Sequence, residues 1–313
     1  MSPRAKPHPS ALATTNGKTA ASERLGIRKT YKLYIGGEFP RTESGRAYEI
    51  LGARGQLLAN AGRGTRKDIR DAVRAARAAL PGWSSRTAFN RGQILYRIAE
   101  LMEGRRDQFI GEVMAAEGVG RRRATRLTDA AIDRWVWYAG WADKFTQVNG
   151  SVNPVNGSYF NFSVPEPSGV VGVIAPEGSS LLGLVSRLAP VIVSGNCAVV
   201  IASESRPLSA VTLTEVLATS DVPGGVVNLI TGLRRELVLH LAGHMDVNAL
   251  DAYGLDPAQG VAVEELATEN VKRLVRPPAR GADAVDWLSP RAQSPYLIGE
   301  FTETKTVWHP IGA

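Results

Sequence analysis

Residues 168–207, SGVVGVIAPEGSSLLGLVSRLAPVIVSGNCAVVIASESRP, decide the fold of this chain. A β-branched run closes at Ala175-Pro176, and a second, continuous apolar run covers residues 198–201. Between the two runs, apolar residues recur at helical spacing until Gly195-Asn196. Continuous apolarity is typical of strands that are covered on both faces, as in a parallel sheet. The stretch therefore predicts a right-handed βαβ unit, which is half of a mononucleotide-binding fold.

The rest of the chain extends this pattern. Apolar runs at residues 226–230, 247–250 and 271–275 predict three more strands, with helices between them. Four amphipathic helices are predicted upstream, and Thr65 is placed to cap the first. Residues 31–35 alternate before a Gly-Gly turn. We therefore predict an α/β fold: a Rossmann-like, doubly wound parallel sheet with N-terminal helices.

The amino-acid composition limits the classes of protein to which this chain can belong. The chain has 313 residues, of which 44% are hydrophobic and 21% are charged, as in globular proteins of one large or two modest domains. No apolar run approaches the ~20 residues of a membrane span, so we expect no membrane association. Cys197 is the single cysteine. It excludes intramolecular disulfides and fits a reducing, cytoplasmic location.

Most of the positive charge lies at the start of the chain. The net charge is +7, and residues 1–30 hold six basic groups against one acidic group. We therefore expect no nucleic-acid-binding face on the folded body. Residues 1–30 have almost no large apolar side chains, which predicts a disordered basic tail. The tail lacks the apolar segment that a signal peptide requires. Its composition fits a transit peptide, but we find no amphipathic helix of the kind that transit peptides form.

Several motifs resemble those of the aldehyde dehydrogenase superfamily. Val173-Ile174-Ala175-Pro176 resembles the start of V-I-x-P-W-N-F-P, Gly195-Asn196 resembles G-N-x-x-V, and Ser203-Glu204 resembles the end of K-P-S-E. Residues 301–308, FTETKTVW, are similar to the family's closing strand, commonly Y-T-x-V-K-T-V. The resemblance extends, more weakly, over most of the chain from residue 31 onward.

The resemblance implies a domain organisation. It assigns residues 31–275 to a cofactor-binding domain, with a projecting β-hairpin at 148–165. Residues 296–313 would supply a C-terminal strand that joins the hairpin in an oligomerisation sheet. Only 46 residues separate Gly254 from Phe301. A catalytic domain of roughly 100–200 residues does not fit there. We therefore interpret residues 276–295 as a linker in its place.

The catalytic groups that the family uses are not found in this sequence. An aldehyde dehydrogenase needs a thiolate nucleophile, an oxyanion donor and a carboxylate base. Cys197 lies at a position that is structural in the family, and we interpret it as a small buried hydrophobe. The family's oxyanion Asn aligns with Gly178, and its general-base Glu aligns with Pro277 or Pro278. We therefore predict no catalytic residue.

The resemblance also implies a site for NAD or NADP, in degraded form. Its remnant cofactor-binding positions are Ala175, Pro176, Glu204 and Gly254. Glu204 matches the acid that contacts the ribose hydroxyls, but the family's ribose-binding Lys aligns with Ile201. The phosphate-facing turn becomes Ala-Tyr-Gly-Leu, followed by Asp256, whose charge opposes an anion. Weak or lost cofactor binding is therefore expected.

No metal site is predicted. His240 and His244 are four residues apart, but no third ligand is evident and Gly243 lies at a predicted helix end.

Our leading hypothesis is a non-catalytic subunit that scaffolds or regulates a full-length aldehyde dehydrogenase. It would assemble with that subunit, or with itself, through residues 159–164 and 301–308, because exposed strand edges seek partners. The alternatives are a divergent NAD(P)-dependent aldehyde dehydrogenase, which would oxidise an aldehyde to a carboxylic acid, and a nucleotide-sensing module. A basic nucleic-acid-binding protein is the least favoured of the four hypotheses.

Overall fold

A computed structural model describes residues 28–277 and 285–312. All but the last three residues of the predicted basic tail lie outside the described residues, and so do residues 278–284 of the predicted linker. No helix in the described ranges is long and apolar enough to cross a membrane.

The secondary structure contains eleven strands and ten α-helices within the described residues. The strands are β1 (Thr30–Tyr31), β2 (Ala47–Leu51), β3 (Leu57–Gly62), β4 (Ser151–Asn153), β5 (Tyr159–Pro167), β6 (Val170–Ile174), β7 (Cys197–Ile201), β8 (Val227–Ile230), β9 (Ala249–Asp251), β10 (Arg273–Val275) and β11 (Thr302–Pro310). The helices are α1 (Arg66–Ser84), α2 (Ala88–Gly104), α3 (Arg106–Glu117), α4 (Arg121–Trp141), α5 (Phe145–Asn149), α6 (Leu182–Val193), α7 (Leu208–Leu217), α8 (Arg234–Ala242), α9 (Gly260–Thr268) and α10 (Tyr296–Gly299).

The central sheet is parallel and has the order β10-β9-β6-β7-β8. The chain winds outward from β6 to β8 and then returns to the other side of β6. The direction of winding therefore reverses between β6 and β9, which is where open α/β sheets bind their ligands. The strands β6 and β7 are buried along their whole length, as their continuous apolarity predicts. The predicted α/β, doubly wound fold is confirmed.

Helices cover both faces of this sheet. One face carries α1 and α8, and α9 packs beside α8. The other face carries α6 and α7, with α2 and α4 as an outer layer. The predicted aromatic helix is α4, in which Trp135 and Tyr138 are fully buried. The apolar groups of both layers join into one core.

The N-terminal part differs in detail from the prediction. The strand expected at residues 31–35 is reduced to β1, and Tyr34 instead makes an isolated bridge to Leu229 of the central sheet. The Gly-Gly turn at 36–37 is present, with both residues at positive φ. Thr65 caps α1 as predicted, in a reciprocal capping box with Asp68. Long-range packing on the sheet, rather than local alternation, decides the path before the turn.

A third sheet, which we call the hairpin sheet, consists of β4, β5 and β11 in the order β11-β5-β4. The strand β11 is antiparallel to β5 over nine residue pairs, from Thr302↔Pro167 to Pro310↔Tyr159. The predicted hairpin and C-terminal strand therefore meet in one sheet. No described strand pairs with the outer edge of β11.

Candidate functional site

The candidate site is the crevice at the carboxyl end of the central sheet, where β6 and β9 diverge. The turns after β6, β7 and β9 bring the predicted residues Ala175, Glu204 and Gly254 to this crevice, and α8 begins beside them. Pro176 follows Ala175 and packs next to the first turn of α6. The sequence-predicted positions are therefore close together, as a cofactor site would require.

Gly254 is held directly against the turn after β6. Its N–H donates to the carbonyl oxygen of Ile174 at 2.9 Å. A Cβ atom at this position would overlap the Ala175 carbonyl oxygen. Only glycine permits this approach, and the two turns leave no gap between them at this point.

Arg234, the first residue of α8, fills the crevice. Its Nη1 donates to the carbonyl oxygen of Gly254 at 2.5 Å, and its Nη2 donates to the carbonyl oxygen of Ala175. Its Nε lies 2.8 Å from Oε1 of Glu177. The two groups form an ion pair, but the Nε–H does not point at the oxygen and makes no hydrogen bond. Arg234 is only 8% exposed. An internal cation therefore links the turn after β6 to the turn after β9.

Glu177 ties this cation to the turn after β7. Its carboxylate accepts from the Ser203 hydroxyl at 2.6 Å, the Glu204 N–H at 2.7 Å and the Ser205 hydroxyl at 2.8 Å. Burial alone would raise the pKa of Glu177, but the Arg234 charge and these donors hold it below its usual range. Glu177 is therefore an ionised carboxylate with all its partners inside the protein.

Glu204 is also used internally. Its Oε2 accepts from the backbone N–H of Arg234 at 2.7 Å, so it caps the start of α8 rather than the helix after Pro207. The Tyr48 hydroxyl is buried beside the same groups, without a well-directed hydrogen bond. Burial, together with the charges of Glu204 and Glu177, raises the pKa of Tyr48. The hydroxyl therefore stays protonated.

The groups around Arg234 differ from those that bind a phosphate. A pyrophosphate needs free N–H donors and positive potential at a helix N-terminus. Around Arg234, the polar groups of the turns are the Ala175 and Gly254 carbonyls and the Glu177 carboxylate, and they already hold its guanidinium. At the turn after β9, the Asp256 carboxylate accepts from Ala258 N–H at 3.0 Å and takes the capping position of the following 3₁₀ turn.

Two positions that the sequence analysis rejected as catalytic, Cys197 and Gly178, can be located in the structure. Cys197 begins β7 and pairs with Val170 at the amino end of the sheet, opposite the crevice. It is fully buried, and burial raises the pKa of its thiol to about 12. Its thiol is therefore protonated at neutral pH, as expected for a buried structural cysteine. Gly178 lies in the turn after β6 and offers no side chain.

No group of three potential metal ligands occurs among residues 28–277 and 285–312. His240 lies in the last turn of α8, and Nδ1 of His244 accepts from the Asp246 N–H at 3.2 Å.

Sequence reasoning missed Arg234, Glu177 and Tyr48. The only local signal was a charged pair, Arg234-Arg235, directly after a buried strand and turn. One arginine of that pair is exposed and the other is buried, and nothing in the sequence distinguishes them. Their grouping depends on three separate turns that meet in space.

The fold defines a class: the α/β proteins with a doubly wound, Rossmann-like parallel sheet. Comparison with known proteins identifies the family within this class. The family model described as "Aldehyde dehydrogenase family" matches residues 41–276. Retinal dehydrogenase 2 of Gallus gallus is 31% identical over 277 residues, which is 86% of this chain and 52% of that protein. The chain therefore belongs to the aldehyde dehydrogenase family.

Solved structures give the same family. HpcC from Thermus thermophilus matches with a TM-score of 0.75 and 30% identity, covering 79% of this chain and 48% of that one. The NAD⁺ complex of an aldehyde dehydrogenase from Bacillus cereus matches with a TM-score of 0.74 and 26% identity, covering 79% and 50%. The chain spans about half the length of the relatives it matches.

Proposed function

We propose that this chain is a non-catalytic member of the aldehyde dehydrogenase family, which scaffolds or regulates a full-length aldehyde dehydrogenase in the cytoplasm. The observation that carries the proposal is the internal occupation of the crevice by Arg234. It is supported by Cys197, which is buried at the wrong end of the sheet. Within the residues that the structure describes, these two features leave neither an accessible thiol nor an open crevice for the cofactor, which supports a non-catalytic role.

The hairpin sheet is the surface through which we propose assembly. Trp308 and Tyr159 stack edge to face at 5.7 Å on one face of the sheet and are 58% and 46% exposed. On the opposite face, Phe160 and Val152 are 46% and 69% exposed. Large apolar groups exposed together on a projecting sheet are typical of protein–protein contacts. The nine-residue edge of β11 adds a row of backbone groups to which another strand can pair.

The register defines which groups of β11 face that free edge. The Ser168 N–H donates to the Phe301 carbonyl, and the Ile311 N–H donates to the Ser158 carbonyl. In an antiparallel pair, hydrogen-bonded residues alternate along the strand. Odd-numbered residues of β11 therefore bond to β5, and the N–H and C=O of Thr304 and Thr306 point to the outer edge.

This alternation gives a matched test of assembly. Thr304→Pro removes an outward donor and should leave the thermal unfolding of the chain nearly unchanged. Lys305→Pro removes a donor to β5 and should lower the unfolding temperature. Each purified variant is mixed with a full-length aldehyde dehydrogenase from the same source and measured by size exclusion with light scattering.

We expect the wild-type chain to form a complex with the full-length enzyme or with itself, and Thr304→Pro to lose it. A wild-type chain that stays monomeric in both settings would refute the subunit proposal. If Thr304→Pro forms the complex as strongly as the wild type, the edge of β11 is not the assembly surface, although the subunit proposal itself would stand. The alternatives of a divergent dehydrogenase and a nucleotide sensor have less support, because Glu204 already caps α8.

A further inference from the structure

The sequence contains three Asn-Gly pairs, at residues 16–17, 149–150 and 156–157. The first pair lies outside the described residues. In such a pair the backbone nitrogen of the glycine can attack the side-chain amide of the asparagine, because glycine has no side chain to shield that nitrogen and its backbone turns freely. Whether the attack occurs in a folded protein depends on how the fold holds the pair. The two described pairs differ in this respect.

Asn156 and Gly157 lie at the tip of the hairpin sheet, in the turn of residues 154–158 that joins β4 to β5. Both residues are exposed, and the Gly157 N–H donates to no residue that the structure describes. Gly157 has a φ of 141°, a backbone conformation that glycine adopts freely and other residues avoid. Its carbonyl accepts from the Tyr159 N–H at 2.9 Å. The pair is therefore open to solvent, and the reacting nitrogen is not held by a hydrogen bond.

Asn149 and Gly150, by contrast, are held by the fold. Asn149 is half-buried at the end of α5, and the Gly150 N–H donates to the Thr146 carbonyl at 2.8 Å. A Cβ atom on Gly150 would lie 2.6 Å from that oxygen and 3.1 Å from the Ser163 carbonyl oxygen, so the backbone is closely packed on two sides. Attack by this nitrogen would require the hydrogen bond to break and the helix end to move. The same dipeptide therefore serves as an internal control.

We propose that Asn156 is a site of spontaneous deamidation, which loosens the outer end of the hairpin sheet. The Gly157 nitrogen loses its proton to water or hydroxide and forms a bond to Cγ of Asn156. The bond from Cγ to Nδ2 breaks, and ammonia leaves with a proton taken from the solvent. Water then hydrolyses the cyclic succinimide at either carbonyl, which gives aspartate or isoaspartate. The reaction consumes water and needs no oxidant, reductant or enzyme.

Both products change the end of the hairpin sheet. Each replaces a neutral amide with a carboxylate, and isoaspartate also carries the main chain through its side-chain carbon, which lengthens the backbone before β5. At this end Tyr159 pairs with Pro310, and the Ile311 N–H donates to the Ser158 carbonyl at 3.0 Å. The longer backbone should weaken this last bond first, because a strand end has few other contacts to hold it. The site goes beyond the proposed function and does not depend on assembly.

Peptide mapping by mass spectrometry tests the proposal on the full chain, incubated in warm, mildly alkaline buffer made with heavy-oxygen water. Each Asn-Gly pair is measured in its own peptide. We expect Asn156 to be converted at least about tenfold faster than Asn149, because the pair at Asn149 must first lose its bond to Thr146. The product should carry heavy oxygen from hydrolysis of the succinimide. In the urea-unfolded chain the two pairs should convert at similar rates. Conversion of Asn156 in the folded chain no faster than that of Asn149 would overturn the proposal.

Variants isolate the effect on the sheet. Asn156→Gln should stop the conversion in this peptide, because glutamine would have to close a larger ring. The matched control is Ser158→Ala, which changes an exposed neighbour, keeps the Asn-Gly pair and should convert at the wild-type rate. After incubation, amide exchange at Ile311 should become faster in the wild type and in Ser158→Ala, but not in Asn156→Gln. Equal exchange in all three proteins would overturn the proposed loosening of the sheet.

Discussion

At the scale of single residues, the decisive feature is that Arg234 acts as an internal ligand. Its guanidinium bonds to the carbonyls of Ala175 and Gly254 and pairs with Glu177. Carbonyls and carboxylates that converge on one point attract a cation and repel a phosphate. The acceptor groups that converge here are therefore already occupied by the side chain of Arg234.

Removal of this cation should destabilise the fold. In Arg234→Ala, the carbonyls and Glu177 lose their partner, which should cost about 1–3 kcal/mol in the free energy of unfolding. Added guanidinium, far below denaturing concentrations, should recover part of the loss by entering the same position. Thermal and urea unfolding measure both effects.

The matched control is Arg235→Ala, which changes the exposed neighbour and should alter the free energy of unfolding by less than about 0.5 kcal/mol. Equal losses in the two variants would contradict the role assigned to Arg234.

Glu177 gives the crevice a defined pH dependence. Its pKa is lowered in the folded protein, against the opposing effect of burial, by Arg234 and its hydrogen-bond donors. The stability that it contributes is therefore complete above the ordinary glutamate pKa of about 4.3 and is lost as the pH falls through the lower, folded value. The stability advantage of the wild type over Glu177→Gln should be constant above about pH 5 and should shrink as the pH falls below about 4.3.

Unfolding at a series of pH values checks this expectation, with Glu265→Gln, an exposed position on α9, as the control. An advantage over Glu177→Gln that stays constant with pH would show that Glu177 is not an ion-pair partner.

At the scale of elements, the described end of the predicted linker packs closely on the core. Residues 285–292 lie over α4, held by the contacts of Arg134, and Arg187 of α6 secures the residues that follow. Arg187 is fully buried between Asp251, at 2.6 Å, and Glu300, at 2.8 Å. Burial lowers the pKa of Arg187, but these carboxylates outweigh it and leave the pKa raised. The arginine therefore stays charged and clamps α6, β9 and the segment after α10 together.

Arg134 is expected to control the stability of this segment. Arg134→Met keeps the length and apolar bulk of the side chain but removes the donors to the Trp287 and Ala292 carbonyls. Amide hydrogen exchange in residues 285–300 should become faster, while exchange in β6 and β7 should change little. Unchanged exchange in residues 285–300 would contradict this account of the segment.

The elements also mark what the sequence makes predictable. Continuous apolar runs identified β6 and β7, and helical spacing identified α6, because each pattern is local. The Thr65 cap was readable for the same reason. The ion pair between Arg234 and Glu177 could not be predicted from the sequence. The two residues are 57 positions apart and come into contact only because the turns after β6 and β8 lie side by side in the fold. The short strand β1 was overestimated because Tyr34 pairs with a distant strand.

At the scale of the whole molecule, a complete doubly wound sheet is combined with a projecting hairpin sheet in a chain about half as long as its relatives. The crevice is closed from inside, and the exposed aromatic pair of Trp308 and Tyr159 lies on the hairpin sheet. The proposal of assembly rather than catalysis depends on these two features together.

The most direct test is calorimetric titration of the full chain with NAD⁺ and NADP⁺. If Arg234 occupies the crevice as described, neither dinucleotide should bind more tightly than the millimolar range, where the free energy of binding is about −4 kcal/mol. A dissociation constant in the micromolar range for either dinucleotide would contradict the account, because it would require the turns after β6 and β9 to hold a pyrophosphate in place of the arginine.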